Sequence, residues 1–202
     1  MRVTMWDLES SDLAGNFGRL LCGSFLDLDG EVETYRRDKR PWRSKEAADD
    51  SKLAIACRDR LERSDIIVGW NSILFDQPLL NARLLAAGER PLRVGEKHGI
   101  SHIDLMYYAR GQSMRIGSSR LDSVAKFFHS PNQKTPLLPE TWAKAVEGDK
   151  AAWNAIAEHC EYDVLVLRDV WYKLAPLVKK TTFTLSEVYD FIGHIPSRRG
   201  SP

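Results

Sequence analysis

Apolar and polar positions along the chain switch between two periods. Residues 2–9 contain the run Val3-Thr-Met-Trp-Asp-Leu-Glu9, which reads as a strand. Two further strand-like runs cover residues 19–28 and 31–36. Asp27-Leu-Asp-Gly30 separates them, predicting an antiparallel hairpin. Residues 66–70 are a continuous β-branched run and predict a buried strand, and Ile103-Asp-Leu105 predicts a last short one. Helical spacing covers residues 47–63, 76–87, 121–128, 140–146 and 153–174; the last carries Ile156, Val164, Leu167 and Trp171 on one stripe. Strands first, then strand–helix alternation, predict an α/β fold with a mixed central sheet flanked by helices. A single domain is expected over residues 1–197, with residues 198–202 a loose polar tail.

The first strand ends in Asp7-x-Glu9. Residues i and i+2 of a strand share a face, so the two carboxylates project together while Leu8 turns into the core. Side-by-side carboxylates repel, and hard divalent cations relieve that repulsion. Two other segments supply matching groups. Asn71-Ser-Ile-Leu-Phe75-Asp76 follows the buried strand and opens a helix, where an acid also suits the unpaired N–H groups of the first turn. His159-Cys-Glu-Tyr-Asp163 lies in the last helix, and His159 and Asp163, four residues apart, share one face. Asp-x-Asp-Gly at residues 27–30 is read as turn chemistry instead.

A strand D-x-E, an N-x-x-x-F-D at a strand-to-helix junction and a late-helix aspartate, in that order, resemble the DEDD superfamily of 3′–5′ exonucleases, which have the RNase H-like fold. The resemblance covers residues 2–176. The flavour around Cys160 is similar to the exonuclease domains of family B polymerases and their stand-alone relatives. It implies two divalent ions, Mg²⁺ or Mn²⁺, held by Asp7, Glu9, Asp76 and Asp163. Two ions about 4 Å apart stabilise the attacking and leaving oxygens of a phosphodiester. One branch of the family has Tyr-x-x-x-Asp and the other His-x-x-x-x-Asp. This chain has a histidine at the tyrosine spacing, so His159 is read as the general base, with the adjacent Tyr162 as the weaker alternative. Asp163 is expected to face solvent and metal. By analogy with the family, Leu8, Asn71 and Phe75 wall the terminal nucleotide. Lys134 resembles a phosphate-side lysine, and Asp104 resembles an aspartate that structures the site or else ends a strand in solvent.

The function implied is hydrolysis from the 3′ end of single-stranded or frayed DNA, either free-standing, in repair or degradation, or in proofreading with a DNA polymerase as a partner in trans. An RNA-processing 3′–5′ exoribonuclease and a non-catalytic nucleic-acid-binding module of the same fold are the alternatives. Arg115 and Arg120, flanking Gly117-Ser-Ser, are candidate backbone contacts, as is the basic loop at residues 36–43, where Trp42 offers a stacking face. Acids at Glu46, Asp49 and Asp50 follow that loop, so a solvated charge cluster is its favoured reading. Trp70, Trp153 and Trp171 are assigned to the core.

Composition changes this picture little. The 202 residues are 43% hydrophobic and 28% charged, with a net charge of only +1, so positive charge for a polyanion has to be concentrated locally. Cys22, Cys57 and Cys160 lie in separate segments without C-x-x-C, which argues against a disulfide framework and structural zinc. With no leader-like or membrane-spanning run, a cytoplasmic location in a bacterial or phage-infected cell is expected.

Overall fold

The computed structural model describes residues 1–46, 48–95, 98–111, 114–132 and 136–178. Lys134, the end of the expected domain and the expected tail lie outside the described residues. Five strands, β1 (Val3–Ser10), β2 (Leu20–Asp27), β3 (Val32–Arg36), β4 (Ile66–Gly69) and β5 (Ser101–Asp104), form one sheet in the order β3-β2-β1-β4-β5. β2 runs antiparallel to both β1 and β3, and β4 and β5 extend the sheet parallel to β1. This is the mixed α/β sheet that the pattern predicts.

β1 is central and buried on both faces. Val3 and Met5 join one core cluster, Trp6 and Leu8 the other. On the first face lies the 25-residue helix α6 (Lys150–Leu174), with α3 (Leu105–Arg110) and α4 (Leu121–Phe127). Val164, Leu167, Val170 and Trp171 of α6 pack there against Val3, Met5 and Val68. Each such apolar side chain contributes about 1.5–3 kcal/mol when fully buried. On the opposite face, α1 (Ser51–Leu61) and α2 (Asp76–Ala86) cover Trp6, Leu8, Phe25 and Ile67. A third cluster joins Leu21 and Cys22 of β2 to α5 (Glu140–Val146) and the start of α6. Among the described residues no helix is long and apolar enough to cross a membrane.

The structure departs from the pattern at several boundaries: α1 starts at Ser51 and ends at Leu61, inside the expected 47–63, and two further shifts come from caps. Leu105 opens α3 instead of ending the strand, because the Asp104 side chain accepts the Met106 N–H and caps a helix that the pattern leaves out. α6 starts at Lys150, three residues early, because Asp149 caps it through the Ala152 N–H. The turn at Asp27 forms as expected, with Gly30 N–H donating to Asp27 O; the Asp27 carboxylate is engaged by Thr4 and Arg60.

Candidate active site

Strand alternation sends Asp7 and Glu9 to the face covered by α6. The third and fourth turns of that helix bring His159 and Asp163 to the end of β1. Glu9, His159 and Asp163 each offer one ligand atom, all within 4.8 Å of one another. His159 Nε2 is 3.8 Å from Glu9 Oε1, so the imidazole edge faces the carboxylates. Trp142 of α5 donates its indole N–H to Glu9 Oε2 at 2.9 Å and sets its ring edge-on to His159, at 6.2 Å and 87°. Asp163 is 5% exposed. The expectation that it faces solvent is therefore corrected: α6 packs flat on the sheet and carries Asp163 into the protein.

Asp7 and Asp76 lie outside that group of three. Asp7 lies beside α6, where the Cys160 thiol donates to its Oδ2 at 3.3 Å and to its main-chain oxygen at 3.5 Å. Burial pushes the Cys160 thiol well above its ordinary pKa, reinforced by Cys22, Asp7 and Glu9, so it stays a neutral donor. Asp76 opens α2 and accepts the Leu8 N–H at 3.2 Å through Oδ1. Burial raises its pKa to about 7; the Leu8 and Asp76 amides oppose the rise, and the charges of Glu9 and Asp104 add to it.

The turn before α2 is held from three sides. Asn71 has φ +58°, a left-handed conformation that asparagine tolerates better than most residues. Its carbonyl accepts the N–H groups of Leu74 and Phe75. Asp104, 2% exposed, accepts the Asn71 N–H at 2.9 Å and the Ile73 N–H at 3.2 Å. Burial raises its pKa, and these amides counter the rise. Of the two readings open for Asp104, the structuring one holds. His102 bridges Ser72 Oγ at 2.9 Å and Gln77 Oε1 at 3.0 Å, and burial lowers its pKa to about 4, so it acts as a neutral strut.

The expectation that the Leu8 side chain walls a nucleotide is corrected. It is 4% exposed in the α1/α2-side core, opposite Asp7 and Glu9, and reaches the site only through its amide. Asn71 and the half-buried Phe75 stand at the mouth of α2. Arg115 and Arg120 are exposed. Their loop is tied to the Asn71 turn by Trp70, whose indole donates to Ser119 O at 2.9 Å; Trp70 is half-buried, unlike the buried Trp153 and Trp171. Trp42 stacks on Tyr35 at 4.4 Å and 19°, so at least one of its faces is taken. Tyr162 is half-buried.

A family model described as RNase_H superfamily matches residues 5–175. The chain belongs to the RNase H superfamily. Its five-stranded sheet, with three antiparallel strands followed by two parallel ones, is the superfamily's α/β architecture. A search of the curated proteins finds no match. Among solved structures, the chain is similar to a family B DNA polymerase from the hyperthermophilic archaeon Pyrobaculum calidifontis, with TM-score 0.69 and 23% identity. The likeness covers 87% of this chain but 25% of the polymerase, so the chain spans about a quarter of that protein's length. In this RNase H-type domain, pattern reading passed over Trp142 and left Cys160 as core. A tryptophan in α5, whose buried residue is Ala145, was the available signal for the first.

Proposed function

We propose that the protein is a metal-dependent 3′–5′ exonuclease that hydrolyses the terminal phosphodiester of single-stranded or frayed DNA. The observation that carries this reading is the convergence of Glu9, His159 and Asp163 within 4.8 Å at the end of β1. The donor set fits hard divalent ions such as Mg²⁺ or Mn²⁺: carboxylate oxygens gathered with one imidazole, next to an Asp76 whose ionisation burial disfavours. Glu9 and Asp163 would hold the ions, with Asp7 and Asp76 completing the ligand set. When bound, such ions stabilise charge on the attacking and leaving oxygens and make water a better nucleophile at neutral pH.

The chain's own residues supply the rest. His159 Nε2, directed at the carboxylates, is placed to accept a proton from the attacking water. Trp142 holds Glu9 from behind, and Cys160 holds Asp7, so neither carboxylate has to be reorganised during reaction. Asn71 and Phe75 would wall the terminal nucleotide, and Arg115 and Arg120 would meet phosphates. DNA is proposed over RNA because the similar solved structure is a DNA polymerase; a polymerase acting in trans would be a suitable partner.

The test is digestion of 5′-labelled single-stranded DNA with Mg²⁺ or Mn²⁺ and with chelator, beside Asp7→Ala. The expected result is a metal-dependent ladder shortening from the 3′ end and absent in the variant. Cleavage of matched RNA but not DNA would replace the substrate, and cleavage of neither would refute the enzyme.

A further inference from the structure

A second concave surface lies away from the carboxylates, between the loop after β3 and the start of α6, with a volume of about 470 Å³. Its lining includes six cations, Arg36, Arg37, Lys39, Arg43, Lys45 and Lys150, against three carboxylates. The cleft thus carries an excess of three positive charges on a chain whose net charge is +1. Two of the carboxylates are already committed. Asp38 takes both Nε and Nη2 of Arg36 at 2.9 Å, and Asp49 accepts the Ser51 N–H at 2.9 Å at the start of α1. Lys39, Arg43, Lys45 and Lys150 are exposed, and among the described residues none is ion-paired.

Arg37 places charge deeper. It is 7% exposed and its guanidinium lies 5.7 Å over the Trp153 ring. A buried arginine with an aromatic face beneath it costs desolvation, and it keeps a fixed cation at the floor of the cleft.

The position relative to the carboxylates is set by strand register. Glu9 pairs with Cys22, and Cys22 pairs with Arg36. Two strand spacings put Arg36 about 10 Å from Glu9 across the sheet. Arg36 also reaches Asn154 of α6, at 3.0 Å; from Asn154 to His159 the helix rises about 7.5 Å. The cleft therefore lies on the order of 10 Å from the carboxylate group.

We propose that this cleft grips the phosphodiester backbone of the substrate strand to the 5′ side of the bond to be cut, through charge and without reading sequence. The inference rests on the exonuclease reading for its polarity, and on the cleft's own charge and register for its ligand. It replaces the solvated-cluster reading of the basic loop.

The experiment measures binding, without catalysis. Fluorescence anisotropy of a labelled 12-nucleotide single-stranded DNA in chelator, over a salt series, would compare wild type with Arg43→Glu/Lys45→Glu. An equal charge change at two exposed residues elsewhere, Arg63→Glu/Lys173→Glu, is the control. The cleft pair is expected to lose at least about tenfold in affinity at low salt, and its log K against log salt slope to flatten by about 1.4, two contacts at about 0.7 each. The control pair should stay within about threefold. Equal losses in both pairs, an unchanged slope, or no DNA binding by wild type would overturn the clamp. Pyrophosphate binding that the cleft pair loses while DNA affinity is unchanged would assign the cleft to free phosphate and overturn it as well. Because no hydrolysis is read, an inactive wild type would sink the exonuclease and leave this test standing. Active wild type with cleft-insensitive binding would sink the clamp alone.

Discussion

Asp76 offers a quantitative check on whether the carboxylates form a cation site. The carboxyl is 4% exposed, accepts one amide, and faces the charges of Glu9 and Asp104, which together with burial lift its pKa from 3.8 to about 7. Below pH 3.8 the group is neutral in folded and unfolded chains and costs nothing. As pH rises, the unfolded chain ionises first and gains solvation that the native state lacks, so native stability falls until pH passes about 7. At about 1.4 kcal/mol per pH unit, the penalty is on the order of a few kcal/mol above pH 7 and clearly smaller at pH 5. Asp76→Asn keeps an oxygen for the Leu8 amide and removes the charge. In chelator the variant is expected to be more stable than wild type by on the order of a few kcal/mol at pH 8.5 and by clearly less at pH 5, while losing activity. A widening of this order corresponds to a Tm difference of roughly several degrees for a chain of this size.

The assay is denaturant unfolding at the two pH values, with chelator and then with Mg²⁺ or Mn²⁺. A divalent ion at about 100 times its Kd should return ~2.7 kcal/mol to wild type at pH 8.5, and far less to the variant. If the gap between the two proteins is the same at pH 5 and pH 8.5, or if the variant is the less stable at pH 8.5, Asp76 is not a suppressed carboxylate and the reasoning fails.

Asp163→Ala should lose at least about 100-fold in cleavage while its circular dichroism stays native; full activity would remove Asp163 from the site. His159→Gln is expected to lower kcat by about 10²–10⁴ with DNA affinity within twofold, whereas Tyr162→Phe should leave kcat near wild type. The reverse pattern in single-turnover rates would move the base to Tyr162. Gly69→Ala would put a Cβ into Ser72 Cβ and Oγ, displacing the turn that presents Asn71 and Asp76, and should cost about 1–3 kcal/mol by thermal unfolding. An unchanged Tm would show that the turn yields easily.

What the sequence made legible divides by the range of the interaction. Period-2 and period-3.6 patterns are local, so the strands, the hairpin turn at Gly30, α2 and α5 fall where the residues predict them. The pairing of His159 with Asp163 follows from helix geometry alone, and the shared face of Asp7 and Glu9 from strand geometry. Caps shift an element without changing its periodicity, so Asp104 and Asp149 moved two boundaries. The contacts that hold the carboxylates span long stretches of chain: Trp142 to Glu9 crosses 133 residues and Cys160 to Asp7 crosses 153. No periodicity carries such information.

Leu8 shows how a family analogy and strand geometry can collide within one residue. Alternation sends its side chain to the α1/α2 core as surely as it sends Asp7 and Glu9 to α6, so a nucleotide-facing Leu8 side chain was incompatible with the same rule that paired the carboxylates. The backbone resolves the conflict. The Leu8 amide sits between the two acids and points to Asp76, so one strand end presents two carboxylates and an amide that orients a third. Three residues from β1 thus organise a site whose other members come from α2 and α6. For that reason the strand's register against β2 and β4, more than any single side chain, determines whether the site exists.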